Sequence, residues 1–171
     1  KATFFLVGEL LNSNPEILDK ILDAQHEIGF HTMKHTRLDS PNFRPIFKKE
    51  IKEFDKITSG KSVGFRAPTF SINEKSSWVV DELTDNNYKY DSSIIPAKTS
   101  LYGIPGAQKS PYKITSESLD KNDEKGTLIE FPLLVTKFLT KTIPAAGGFY
   151  LRSLPLKIIK NAIRSYEKNE I

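Results

Sequence analysis

The sequence contains no cysteine, one methionine, one tryptophan and three histidines in 171 residues. Without cysteine there is no disulfide framework and no thiolate metal site, so any metal must be held by nitrogen or oxygen donors. The same absence leaves the compartment open, cytoplasm or cell envelope. No apolar run approaches the roughly 18 residues of a membrane-spanning helix, and no secretory leader is visible. No initiating methionine precedes "KATFFLVG", which opens almost directly on an apolar run; this reads as part of a longer protein. No block of Lys or Arg is interleaved with aromatics. The 25 basic and 21 acidic residues are well mixed, for a net charge of +4. That pattern gives little support to a nucleic-acid partner.

What is present suffices for a core. Hydrophobic residues make up 38%, with 11 Phe and 6 Tyr, which points to a globular chain whose length suits a single domain. "ATFFLVG" (2–8) reads as a strand buried on both faces. Asn14 then looks like a helix cap with Pro15 at the first helical position, followed by Ile17, Ile21, Leu22 and Ala24 at helical spacing. Residues 28–31 form a second short strand. Between Ser40 and Gly60, Ile46, Phe47, Ile51, Phe54 and Ile57 mark one side of a helix. "SVGFRAP" is a strand, residues 71–86 a helix with Trp78, Val79 and Leu83 facing inward, and "YKYDSSI" a strand. Residues 97–127 read as a long loop with one hairpin. "TLIEFPLLV" is strand-like with a break at Pro132, "PAAGGFY" a turn, and residues 153–170 a final helix capped by Ser153.

Strand and helix signals alternate, which predicts βαβ units in a mostly parallel sheet or barrel. In such folds function gathers at the C-terminal ends of the strands. His31, Arg66 and Asp91 each fall at a predicted strand end. His31 and His35 are spaced i, i+4; on a helical turn that spacing sets both imidazoles on one face, within reach of one cation. Against this stands a plainer arrangement, with His35 solvated and His31 a hydrogen-bonded core residue. Two histidines alone do not complete a catalytic zinc site, which uses three protein ligands.

The order of motifs carries more weight. "ATFFLVG…NPEILDKILDAQHEIGFHTMKH", then "GFRAPTFSI", then "YKYDSSI" and "YGIP" resemble the NodB-homology polysaccharide deacetylase family, over residues 2 to about 105. The subgroup resembled is the one found with exopolysaccharide assembly. The resemblance implies a distorted (β/α) barrel, present here in part, and a hydrolase that removes acetyl groups from N-acetylated sugars. It implies a divalent metal, most often zinc, on His31 and His35. It implies that Arg66 orients the catalytic base and that Pro68, Phe70, Ser92 and Tyr102 lie along a substrate groove. Phe70 stands where many members have tyrosine, so one polar substrate contact is in doubt. The family's first motif, T-F-D-D, supplies the third ligand and the base from a strand before "ATFF"; neither it nor the late motif with the general-acid histidine has a match here. An open strand edge along "ATFFLV" is therefore expected. His26 falls at a non-catalytic position.

Some readings of these residues stay open. Asp91 either bonds Arg66, faces the substrate, or caps a turn with Ser92. Phe70, Tyr102 and Tyr112 either meet sugar rings or pack their loops. The expected partner is a carbohydrate polymer or oligomer, and a homo-oligomer is possible. Alternatives are a cyclic imide or allantoin-type amidohydrolase on the same fold, and a metal- or sugar-binding module without catalysis.

Overall fold

The computed structural model describes residues 1–168. The chain runs β1 (Thr3–Leu6), α1 (Gly8–Ser13), α2 (Glu16–Asp23), β2 (Glu27–Phe30), α3 (Phe43–Thr58), β3 (Gly64–Phe65), α4 (Trp78–Asp85), β4 (Tyr90–Asp91), β5 (Tyr112–Ile114), β6 (Leu128–Glu130), β7 (Val135–Phe138), β8 (Lys141–Pro144), α5 (Gly148–Ser153) and α6 (Leu156–Glu167). A six-stranded sheet has the order β1-β2-β3-β4-β6-β5. Every neighbouring pair in it is parallel except β5 with β6. β7 and β8 form a separate antiparallel hairpin. This is the α/β class that the alternation predicts. The described strands form an open sheet, consistent with part of a distorted barrel. Among the described residues no helix is long and apolar enough to cross a membrane.

The register explains the layers, because residues in one row of a pleated sheet share a face. Leu6, Phe30, Phe65, Asp91 and Glu130 form one row. On that side Phe30 meets Phe54 of α3 at 4.6 Å between ring centroids, and Phe65 meets Phe47 at 5.5 Å. All four rings are fully buried and form the centre of the core. The adjacent row is Phe5, Gly29, Gly64, Tyr90 and Ile129, on the other face. Two glycines there make room for rings: a Cβ on Gly29 would lie 2.6 Å from the Phe5 ring, and one on Gly64 2.1 Å from the Tyr90 ring.

Several expectations are corrected. β1 is not buried on both faces; it is the edge of the sheet, with Thr3 and Phe4 exposed. Asn14 does not cap α2, since its side-chain amide donates back to the Leu10 carbonyl and closes α1, a helix the sequence reading lacked. The helix expected over 71–86 is interrupted. Asn73 accepts from the Lys75 N–H, and its own N–H donates to Ser76 Oγ. This reciprocal capping completes a 3-10 turn, Glu74–Ser76, before α4 begins. Trp78 packs only partly buried against Phe47. Ile46 points outward from α3, where Phe43 and Glu50 join the buried side instead. Ser153 ends α5, and α6 starts after Pro155. The expected last turns at 169–170 lie outside the described residues.

Candidate active site at the carboxyl edge of the sheet

Because β2, β3, β4 and β6 are parallel, their C-terminal ends share one edge. The residue after each strand points to the face opposite the core row. These residues are His31, Arg66, Ser92 and Phe131, and a chain of hydrogen bonds joins them in that order. His31 Nδ1 lies 2.6 Å from the Arg66 carbonyl. Arg66 donates from Nε to the Ser92 carbonyl at 2.7 Å and from Nη2 to Ser92 Oγ at 2.6 Å. Ser92 Oγ donates to the Phe131 carbonyl at 2.9 Å. Four strands are thus tied across their ends by side chains as well as by the ladder.

The first link sets the chemistry of His31. A carbonyl only accepts, so Nδ1 carries the proton and Nε2 keeps its lone pair free. Burial pushes the His31 pKa from 6.5 to about 4, against the pull of the Arg66 carbonyl, with His35 and Arg66 adding to the fall. The ring is neutral, the form that ligates a metal. The His31 and His35 rings lie 4.9 Å apart at 68°. Their proximity does not come from a helical turn, as the spacing predicts. The segment is a bend with Thr32 and His35 in left-handed conformation, φ 58° and 56°.

That bend is pinned from three sides. The Thr36 N–H donates to Thr32 Oγ1, the Met33 N–H to Glu50 Oε2, and the Leu38 N–H to Ser71 Oγ. Gly8 lets the Met33 side chain close in, since a Cβ there would meet its sulfur at 2.0 Å. Glu50 was missed by sequence reasoning, although a lone acid between Phe47 and Ile51 on the apolar side of a helix was its signal. Burial pushes its carboxyl above the usual range. Two adjacent imidazoles, one with its tautomer fixed, fit the donor chemistry of a divalent cation such as zinc. Among the described residues no group of three or more His, Cys, Asp or Glu is arranged to hold one.

Arg66 stacks 4.2 Å above the Phe5 ring and lies 6.0 Å from Phe70. Burial pushes its pKa down, opposed by the charges of Asp91 and Glu130. Among the described residues Asp91 makes no hydrogen bond to Arg66. It points into the core row, fully buried, and accepts a hydrogen bond from Ser93 Oγ. The alternation of the strand dictates this: Ser92 takes the open face and Asp91 the other. Its neighbour there is Glu130, equally buried and also missed, though an acid inside "TLIEF" was a legible anomaly.

The expected groove residues divide. Phe70 packs edge-on to Tyr102 at 5.6 Å, and Gly147, at φ 91°, passes close to the same ring. Pro68 is buried at the start of a 3-10 turn. Ser92 is buried and committed to Arg66 and Phe131 rather than free for a ligand. Tyr112 lies in β5, not in a loop, and its hydroxyl donates to the Leu119 carbonyl. His26 sits at the opposite edge of the sheet, where Nδ1 accepts from the Ala2 N–H. A concavity of about 810 Å³ beside Asp39, Asn73, Ile104 and Asp120 contains none of His31, His35, Arg66 or Asp91.

Residues 1–89, just over half of the chain, match the profile of the polysaccharide deacetylases. The chain belongs to the polysaccharide deacetylase family. Residues 92–171 match a second profile, described as a domain of unknown function (DUF3473). Among curated proteins, the chain is 30% identical over 105 residues to a peptidoglycan deacetylase-like protein, FGM2, of Gibberella zeae, covering 60% of this chain and 30% of that protein. It is 27% identical over 137 residues to the peptidoglycan-N-acetylglucosamine deacetylase PgdA of Listeria monocytogenes, covering 70% of this chain and 28% of that one. The chain thus spans less than a third of the length of the curated relatives it matches. A crystal structure assigned to the polysaccharide deacetylases, from Mycobacterium smegmatis, superposes with a TM-score of 0.57 at 24% identity, over 77% of this chain and 40% of that one. The fold is shared with it.

Proposed function

We propose that this member of the polysaccharide deacetylase family is a metal-dependent hydrolase that removes N-acetyl groups from N-acetylhexosamine units of a polysaccharide. The observation that carries the reading is the hydrogen-bonded chain from His31 to Phe131 along the carboxyl edge of the sheet. It gathers the residues of three separate family motifs into one site. The names of the curated relatives make peptidoglycan N-acetylglucosamine the first substrate to try. In this reading residues 1–171 act as one domain.

His31 and His35 would hold the metal, with zinc the ion best suited to imidazole nitrogen. A cation bound there supplies a Lewis acid for the acetamide carbonyl and acidifies water to near-neutral pKa. The Arg66 carbonyl fixes the His31 tautomer and leaves the Nε2 lone pair free. Arg66, held on Nε and Nη2 by Ser92, keeps a fixed positive charge at the edge, suited to orienting an acidic group. Phe70 and Tyr102 form an apolar wall against which a sugar ring can lie.

The test is acetate release from N-acetylglucosamine oligomers and from peptidoglycan, with and without chelator. The reading expects release that the chelator abolishes and zinc restores. Glycan binding without acetate release would favour a binding module, and cleavage confined to cyclic imides would favour the other amidohydrolase chemistry.

A further inference from the structure

Beneath the site, Asp91 and Glu130 stand directly opposite each other on the parallel strands β4 and β6, on the same face. Both are fully buried. Asp91 Oδ1 accepts from Ser93 Oγ, and Glu130 Oε1 accepts from the Ile94 N–H at 2.9 Å. The remaining oxygens, Asp91 Oδ2 and Glu130 Oε2, receive no hydrogen bond from any other described residue. Two ionised carboxylates in register in a dry core repel each other strongly. One proton between them removes the repulsion and turns the two unpartnered oxygens into donor and acceptor.

The surrounding charges agree with a single proton. Arg66, on the other face at the end of β3, lies near enough for its charge and those of the two acids to influence each other, and among the described residues it makes no hydrogen bond to either carboxyl. Tyr112 faces it from β5, opposite Glu130, with its hydroxyl turned to Leu119; Asp120 also faces Tyr112. α4 packs on β6 and buries Val79, Val80, Leu83 and Glu82, the last paired with Arg44 and Lys48. One nearby cation therefore balances one of two acids, and one shared proton makes the cluster neutral.

We propose that Asp91 and Glu130 hold one proton between them and that this singly protonated pair positions Arg66. The route is short. Ser93 Oγ donates to Asp91 and accepts the Ala67 N–H at 2.7 Å, while Glu130 holds Ile94. The segment 92–94 is pinned from below at two points, and that fixes the Ser92 carbonyl and hydroxyl that grip Arg66. Burial raises the pKa of both acids, and for Glu130 the charge of Asp91 raises it further. The pair also gives the segment of unknown function a role: it supplies Ser92, Ser93 and Glu130 to complete the setting of an arginine that lies in the deacetylase-matched half. As a statement about catalysis this rests on the reading above, but its test does not use acetate release.

The experiment follows the wild-type protein by infrared spectroscopy and by the NMR shift of the Arg66 Nε nitrogen as pH rises. A protonated-carboxyl band is expected at neutral pH. It should vanish at higher pH with the same midpoint as a movement of the Arg66 signal. Glu130→Gln, whose amide can donate to Asp91, should lose the band and keep the Arg66 signal in its neutral-pH position at all pH values. Absence of the band at neutral pH in the wild-type protein would overturn the shared proton. Loss of the band with an unmoved Arg66 signal would overturn the positioning role. Both of these readings need no variant to fold.

Discussion

His31 and Arg66 are joined by a hydrogen bond from the imidazole Nδ1 to the arginine backbone carbonyl, 2.6 Å long. That one contact selects the tautomer of the histidine and links the end of β2 to the end of β3. The Arg66 side chain carries the link onward to β4, where Ser92 passes it to β6. A site spread over four strands is therefore a connected structure, and damage to one member should be felt by its neighbours.

Ser92 is the member with two roles. Ser92→Ala, at a buried position, removes an acceptor from the Arg66 Nη2 and a donor from the Phe131 carbonyl, both in part-buried contacts. Losing a hydrogen bond of this kind costs on the order of 1 kcal/mol. Chemical denaturation should show a loss within that order. An unchanged midpoint would mean that the hydroxyl is dispensable to the chain.

Arg66→Lys should not substitute. An ammonium lacks the fork that meets the Ser92 carbonyl and hydroxyl together, and it loses the stacking over Phe5. Thermal unfolding should show a lower Tm for the lysine variant. Arg66→Ala should cost more, because it also removes the nearby positive charge that acts on the buried acids. Equal Tm values for lysine and arginine would contradict the bidentate role.

Gly64→Ala should destabilise through overpacking, not through backbone strain. The added Cβ would lie 2.1 Å from the Tyr90 ring, and such overpacking costs about 1–3 kcal/mol. In a Tyr90→Ala background the same change should cost much less, a coupling that a double-mutant cycle reads directly. Additive effects would place the cost elsewhere.

Acid should weaken the metal-free protein through His31. Its folded pKa is about 4 against an ordinary 6.5. As pH falls below 6.5 the unfolded chain takes up a proton that the folded ring refuses, so stability falls until pH reaches about 4. Asp91 and Glu130 act with the opposite sign: their raised values favour the fold at low pH, and that contribution is lost as pH rises. Thermal unfolding in chelator across this range should show His31→Gln flattening the acid limb. An unchanged acid limb would show that another group carries it.

Much of this was legible in the sequence, for reasons that can be traced. The alternation of apolar runs and helical spacing announced a parallel sheet, and parallel strands place His31 and Arg66 at one edge. Family motifs singled out the same residues. What stayed hidden depended on side-chain direction and on partners distant in sequence. Asp91 ends a strand, which by itself leaves its role open, but the pleat turns it inward and gives Ser92 the other face. Glu130 and Glu50 stand out in the sequence only as acids on apolar stretches; their partners appear when strand and helix dock, where one meets Asp91 and the other accepts the Met33 N–H. The histidine spacing led to the right pair by the wrong geometry, since two left-handed residues rather than a helical turn bring the rings together.

The most direct test of the account is calorimetric titration of zinc into the metal-free protein, beside His31→Ala, His35→Ala and the double variant. The account predicts saturable binding by the wild-type protein, sharply weakened in each single variant and abolished in the double variant, with all three variants folded by circular dichroism. Wild-type affinity retained in the folded double variant would contradict the assignment of this pair as the metal ligands.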